Sequence, residues 1–164
     1  MGKIKNLHRL KHKEIRLLNK EIEEQLHTCI SFDNATVETG KQDSIEFVYI
    51  DKKPCFFRKE QHLFFTVIGL LHFRPSRGFV IVDMGAVKFV TNGADIMAPG
   101  IVNADDTIVV DDSVWICDEI HKKPLAVGIA LKSGIEMVQQ EKGKAVKMIH
   151  HVGDELWNLM KTSI

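Results

Sequence analysis

Between Phe79 and Gly100 the sequence reads FVIVDMGAVKFVTNGADIMAPG, and no regular element has room to grow long in it. An apolar run, Phe79–Val82, meets Asp83. A short amphipathic segment, Gly85–Thr91, ends at Asn92-Gly93, and small alternating residues then lead to Pro99-Gly100. Glycine stands at each change of direction, where a positive φ or a close approach of two backbones is cheapest. The stretch therefore excludes a long helix and a long strand alike. Spacing alone fits two readings: a capped strand–helix–strand connection, or a surface stripped of bulk against which a flat or extended ligand can lie.

The rest of the second half has the same texture. Ala94–Ala98, Thr107–Val110, Val114–Cys117, Leu125–Lys132 and Ala145–His151 read as strands, with a turn at His121-Lys122-Lys123-Pro124. Ser133 and Glu136 have capping-box spacing and open a short helix through Gln140, ended by Gly143. Many short strands with two short helices suggest a closed or nearly closed barrel. Arg74-Pro75-Ser76-Arg77-Gly78 combines proline, glycine, serine and two charges between apolar runs, which marks a domain boundary. Before it, Lys11–His27 carries Ile15, Leu18, Ile22 and Leu26 as one helical stripe. Asn34–Gln42 is polar and turn-rich. Ile45–Ile50 and Cys55–Arg58 read as a hairpin, and Leu63–Phe73 is a buried element whose type periodicity leaves open.

At 164 residues the chain has room for one domain or two small ones. Net charge is zero but unevenly spread: residues 1–77 hold 14 Lys and Arg against 10 Asp and Glu, residues 78–164 hold 8 against 12. Lys3, Lys5, Arg9, Lys11, Lys13 and Arg16 make a basic N-terminal arm suited to phosphate contact. No apolar stretch follows these charges as in a secretory leader, and Leu63–Leu71 is too short to span a bilayer, so no membrane association and a cytoplasmic location are expected. Three well-separated cysteines, Cys29, Cys55 and Cys117, with no CxxC pair, are expected to be reduced core thiols.

Catalytic constellations are scarce. GxSxG, HExxH, GxxxxGK[ST] and GxGxxG are all missing. His8 and His12 share a helical spacing but lie among cations that oppose a metal. Adjacent His150 and His151 point to opposite faces of a strand, one packed and one exposed. Asp105-Asp106 and Asp111-Asp112 fit turn aspartates better than acid–base pairs. The expectation is a binding protein, not an enzyme, with no metal or other cofactor.

Taken in order, these motifs resemble a known family. VDMGAVKFV (82–90) followed by GADIMAPGI (93–101) resembles the start of a PUA domain, an RNA-binding fold named after pseudouridine synthases and archaeosine transglycosylases. LAVGIALKS (125–133) resembles its later strand and GKAV (143–146) the start of its closing strand. GADIMAPG (93–100) and IHHVGDELW (149–157) are similar to the malignant T-cell amplified sequence proteins and their archaeal relatives. One departure is visible: PUA domains commonly carry Gly-Asp where this chain has Asp111-Asp112.

The resemblance implies an α+β fold. Residues 1–77 would form an N-terminal α/β pre-PUA domain, a basic helix with a small sheet. Residues 78–157 would form a C-terminal PUA pseudo-barrel of short β-strands with short helices, and 158–164 a C-terminal tail. It implies an RNA-binding, translation-associated factor acting on tRNA or the small ribosomal subunit, in initiation, reinitiation or tRNA release, with an SUI1-domain protein as a candidate partner. A ribosome-biogenesis or RNA-modification accessory role, or a protein–protein adaptor using the pre-PUA domain, are the alternatives. Carried over from the family, the RNA face would include Lys88, Asn92, Gly93 and Ala94, then Met97, Ala98, Pro99 and Gly100. The later strand would add Ala126, Gly128, Ala130, Lys132 and Ser133. Val87, Phe89 and Val90 are expected in the core.

Overall fold

The structure, a computed structural model, describes residues 5–162. Its first half is an antiparallel meander whose strands stand in chain order: β1 (Lys5–Arg9), β2 (Val37–Gln42), β3 (Ile45–Ile50), β4 (Lys53–Lys59) and β5 (His62–Phe65). Helix α1 (His12–Leu26) fills the connection between β1 and β2, and α2 (Val67–Phe73) follows β5. The stripe on α1 is real: Leu18, Ile22 and Leu26 are buried, and His27 ends the helix in a left-handed cap, its N–H on the Glu23 carbonyl. Two expectations need correction. The turn-rich segment 34–42 holds β2, in which Val37, Gly40 and the polar Gln42 are buried, Glu38 and Thr39 are half-buried and Lys41 is exposed. Lys5 and Arg9 belong to β1, paired with β2, and not to a free arm or a helix. The ambiguous segment 63–73 splits at Thr66. Its buried hydroxyl accepts the Gly69 N–H at 2.9 Å and donates to the Pro54 carbonyl at 2.6 Å, ending β5 and capping α2 at once.

The second half runs β6 (Phe79–Val82), α3 (Met84–Thr91), β7 (Ile96–Met97), a 3-10 turn (Ala98–Gly100), β8 (Ile101–Ala104), β9 (Ser113–Asp118) and β10 (Pro124–Ala130). It ends with α4 (Gly134–Gln139), β11 (Lys144–His151) and α5 (Glu155–Thr162). The sheet order is β7-β11-β10-β9-β6-β8. Strands β7 and β8 stand at opposite ends of that order, yet only the three residues of the 3-10 turn separate them in the chain. The sheet must therefore curl until its edges nearly meet, which is the pseudo-barrel that the sequence led us to expect.

The expected strand Thr107–Val110 is a turn, and β8 takes the place in the sheet. Aspartates cause this. Asp105 accepts the N–H and hydroxyl of Thr107 and the Gly78 N–H at 2.7 Å, and Asp112 accepts the Val109 N–H at 3.0 Å. Burial works against the Asp105 carboxylate, but these donors and Arg77 outweigh it and hold its pKa down to about 2. At Asp111, where the PUA pattern has glycine, the backbone keeps the glycine-like conformation, φ +80°.

The two halves share a core. Along β10, Val127 and Ile129 pack with Phe47, Phe56, Phe57 and Phe64 of the first half, whereas Leu125, Ala126 and Ala130 pack inside the pseudo-barrel. Helix α5, which sequence reading divided between a domain end and a tail, sends Leu156 and Met160 into the first-half core. A side-chain bridge accompanies it. His150 is fully buried, its Nδ1 lying 2.9 Å from Asp154 and its Nε2 accepting the Val67 N–H at the start of α2. Asp154 also accepts the Trp157 N–H at 2.7 Å and so caps α5. His151 is half-buried. Cys55 and Cys117 are buried thiols as expected, but Cys29 is exposed, hydrogen-bonded to Glu23.

Candidate nucleic-acid interface

The surface begins at Asp83, whose carboxylate accepts the Ala86 N–H at 2.8 Å and starts α3. One face of α3 is buried through Val90, with Ala86 and Val87 partly covered. Lys88 is exposed, and Phe89 is 63% exposed. The helix stops at Asn92. Gly93 then turns at φ +87°, and a Cβ there would stand 2.9 Å from the Nε2 of His151, so glycine alone fits both the angle and the space. Asp95 ties the next segment down: it accepts the Met148 N–H at 2.9 Å and pairs with Lys144 at 3.2 Å, contacts that lower its pKa, the Met148 bond most.

The 3-10 turn then brings residues 98–100 back beside α3. A Cβ on Gly100 would lie 3.1 Å from that of Ala86, so the close approach needs the missing side chain. Between the helix and the returning segment lies a groove of about 450 Å³. Phe89 and Ala86 line one wall; Ala94, Met97, Pro99 and Gly100 line the other. Met97 is 46% exposed, and no other aromatic ring touches Phe89 among the described residues. An open aromatic ring beside a soft thioether has the chemistry of a stacking surface; Lys88 stands on the same helix, and Asp83 and Asp95 also line the groove.

The structure gathers part of the expected face and disperses the rest. Ala94, Met97, Pro99 and Gly100 line the groove, and Lys88, Asn92 and Gly93 stand on or beyond the last turn of its helix. Ala98 is buried and gives its N–H to the Gly143 carbonyl. On β10, Ala126, Gly128 and Ala130 are buried and offer no side-chain surface to a ligand. Gly128 has its own reason: at the β10–β11 bulge a Cβ would stand 2.3 Å from the Lys147 carbonyl oxygen. The Lys132 ammonium is held by Gln140 and the Lys142 carbonyl, and Ser133 caps α4 through the Glu136 N–H.

The residue that sequence reading misplaced is Phe89. The available signal was a count: Ala86, Val87, Phe89 and Val90 are more apolar side chains than one face of an eight-residue helix can cover. In the basic N-terminal segment, Arg9 on β1, Lys11 at the N-cap of α1, and Lys13 and Arg16 on α1 are exposed; Lys3 and the side chain of Lys5 lie outside the described residues. His8 turns to Glu14, at 3.2 Å, and no group of three or more potential metal ligands occurs among the described residues.

Comparison with known proteins agrees with this architecture. Residues 78–152 match the model of the PUA domain, and residues 6–72 match a domain of unknown function, DUF1947. An uncharacterized protein of Methanocaldococcus jannaschii is 43% identical over 91% of this chain and 93% of its own. Translation machinery-associated protein 20 of Saccharomyces cerevisiae is 33% identical over 71% of this chain and 68% of its own. Malignant T-cell-amplified sequence 1 of Rattus norvegicus is 34% identical over 73% and 68%. The crystal structure of a hypothetical protein from Pyrococcus horikoshii superposes with a TM-score of 0.84 at 33% identity, covering 94% of this chain and 99% of that one.

Proposed function

The chain belongs to the family of two-part PUA proteins that includes malignant T-cell-amplified sequence 1 and translation machinery-associated protein 20, and on that premise we propose that it is a non-catalytic RNA-binding factor of the translation apparatus. The observation that carries the reading is the groove between α3 and residues 94–100, with Phe89 open to solvent beside Lys88. An unpaired base stacks on the phenyl ring, the small residues opposite let its backbone approach, and Lys88 meets a phosphate. The second half is net acidic, so attraction cannot come from bulk charge there. Lys11, at the N-cap of α1, and Lys13 and Arg16 on it supply a second, salt-sensitive contact from the first half. The RNA we propose is tRNA or the RNA of the small ribosomal subunit, with an SUI1-domain protein as the candidate partner.

Fluorescence anisotropy with labelled tRNA and with small-subunit RNA fragments tests the site. Phe89→Ala is expected to weaken binding about 10- to 100-fold, the worth of one stacked base, without lowering the melting temperature. Lys88→Glu should weaken it as well and flatten its salt dependence by about one unit of slope. Full affinity in both variants would remove the groove from the interface. Co-sedimentation of the protein with isolated small and large subunits then separates a translation role from ribosome biogenesis.

A further inference from the structure

A second groove, sharing no lining residue with the first, opens at the seam between the halves. Its volume is about 510 Å³. Leu70 and Leu71 of α2 and Pro75 line it from the first half, Trp115 and Pro124 from the second. Leu71 is 45% exposed, while Leu70 beside it is fully buried. The indole N–H of Trp115 is already satisfied by the Arg77 carbonyl at 2.8 Å, so what that side chain can offer the groove is apolar. Around this floor stand Arg74, His121, Lys122 and Lys123, all exposed, and no Asp or Glu lines the groove.

The backbone that carries these side chains is held in place. Arg74 is the left-handed cap of α2, φ +48°, its N–H fixed on the Leu70 carbonyl. The turn bearing the other three is strung on Asp118, a buried carboxylate that accepts the N–H groups of Ile120, His121 and Lys123 at 3.0, 2.5 and 3.1 Å. Arg74, His121 and Lys123 enter no ion pair among the described residues. In a chain with as many acids as bases, an apolar trough rimmed by Arg74, Lys122 and Lys123, with no carboxylate in its lining, is a local positive excess that calls for a negative counterpart.

We propose that this groove docks an acidic, extended segment of a partner protein, seating one or two of its bulky apolar side chains on Leu71 and Trp115 while its carboxylates meet Arg74, Lys122 and Lys123. Leucine and proline take up aliphatic and aromatic side chains of a peptide but give bases no face to stack on, and Trp115 is half-buried. The floor thus favours protein over RNA. Because both halves contribute, a bound segment also clamps the seam.

The test is selection of an eight-residue random peptide display library against the full-length protein, followed by titration of synthetic winners with amide chemical-shift mapping. The expected winners combine at least two acidic residues with a leucine or aromatic residue. They shift the resonances of Leu71, Trp115 and Lys123, and they lose affinity at least tenfold against Lys122→Glu/Lys123→Glu but not against Lys122→Arg/Lys123→Arg. All four substitutions lie at exposed positions, and an unchanged melting temperature shows that the fold persists. Failure to enrich acidic–apolar peptides, or winners indifferent to the charge reversal, overturns the proposal. So does a single-stranded RNA oligonucleotide that perturbs the same resonances more strongly than the peptides, which would make the groove an RNA contact. None of these results bears on Phe89, so the two sites fail separately.

Discussion

Replacing His150 by alanine is the perturbation that best tests how the two halves are joined. The ring is fully buried, packed edge-on against Phe57 with centroids 5.7 Å apart, and bonded at both nitrogens. Truncation opens a cavity in the shared core, worth about 2–3 kcal/mol for a side chain of this size. It also leaves the Val67 N–H, at the start of α2, buried without its acceptor, for a further cost of roughly 1–2 kcal/mol. Asp154 loses one partner but keeps the His151 and Trp157 N–H groups, so its share is smaller. The expected loss is about 3–5 kcal/mol in urea unfolding, a large part of the total for a protein of this size. His150→Phe, which fills the space but accepts nothing, should lose only about 1–2 kcal/mol, the cost of the orphaned N–H. Native-state amide exchange should show α2 and α5 losing protection together. Wild-type stability in His150→Phe, or loss of protection confined to α5, would refute the idea that this hydrogen-bonded bridge holds the halves.

Other expectations follow from the same geometry. Gly128→Ala forces a methyl group to within 2.3 Å of the Lys147 carbonyl, so urea unfolding should show a loss of about 1–3 kcal/mol, with RNA affinity per folded molecule unchanged if β10 is structural. Asp111→Gly relieves a left-handed residue at φ +80° and should raise stability by about 0.5–1 kcal/mol, read as a higher urea midpoint. Acid will act through Asp105 and Asp154, whose folded pKa values lie below their unfolded ones. Their stabilisation is present above the unfolded value and is lost as pH falls through the folded one, for Asp105 between the reference value of 3.8 and about 2. A urea midpoint that does not fall over that window, or that falls equally in Asp105→Asn, would contradict the assignment.

Local patterns were legible where a residue acts on its own neighbours. The Ile15–Leu18–Ile22–Leu26 stripe and the cap at Ser133 read correctly because their hydrogen bonds and periodic steps span four residues or fewer. What a distant strand decides was hidden. Strand β2, sequence VETGKQ, has little intrinsic β character and is a strand because β1 and β3 flank it. Thr107–Val110 has the composition of a strand, yet Asp105 and Asp112 claim its N–H groups for a turn. The groove itself was largely readable, since GADIMAPG packs locally on α3. Which way Ala126, Gly128 and Ala130 face was not, because β10 has two buried faces and alternation cannot tell one core from another. Phe89 escaped for a related reason: an apolar side chain in an amphipathic helix reads as core until the width of the buried stripe is known.

The contribution of α5 to the first-half core has a bearing on how the protein is made. Leu156 and Met160 belong beside Phe47 and Leu63, but they are synthesised long after the first sheet has left the exit tunnel. Until then that sheet waits with part of its apolar surface uncovered, and Val127 and Ile129 reach it only when β10 appears. A polypeptide stalled or cut short before residue 155 therefore exposes a sticky, incompletely sealed sheet rather than one finished module. Quality control that senses exposed apolar surface gains a direct reading of whether the last helix has been translated.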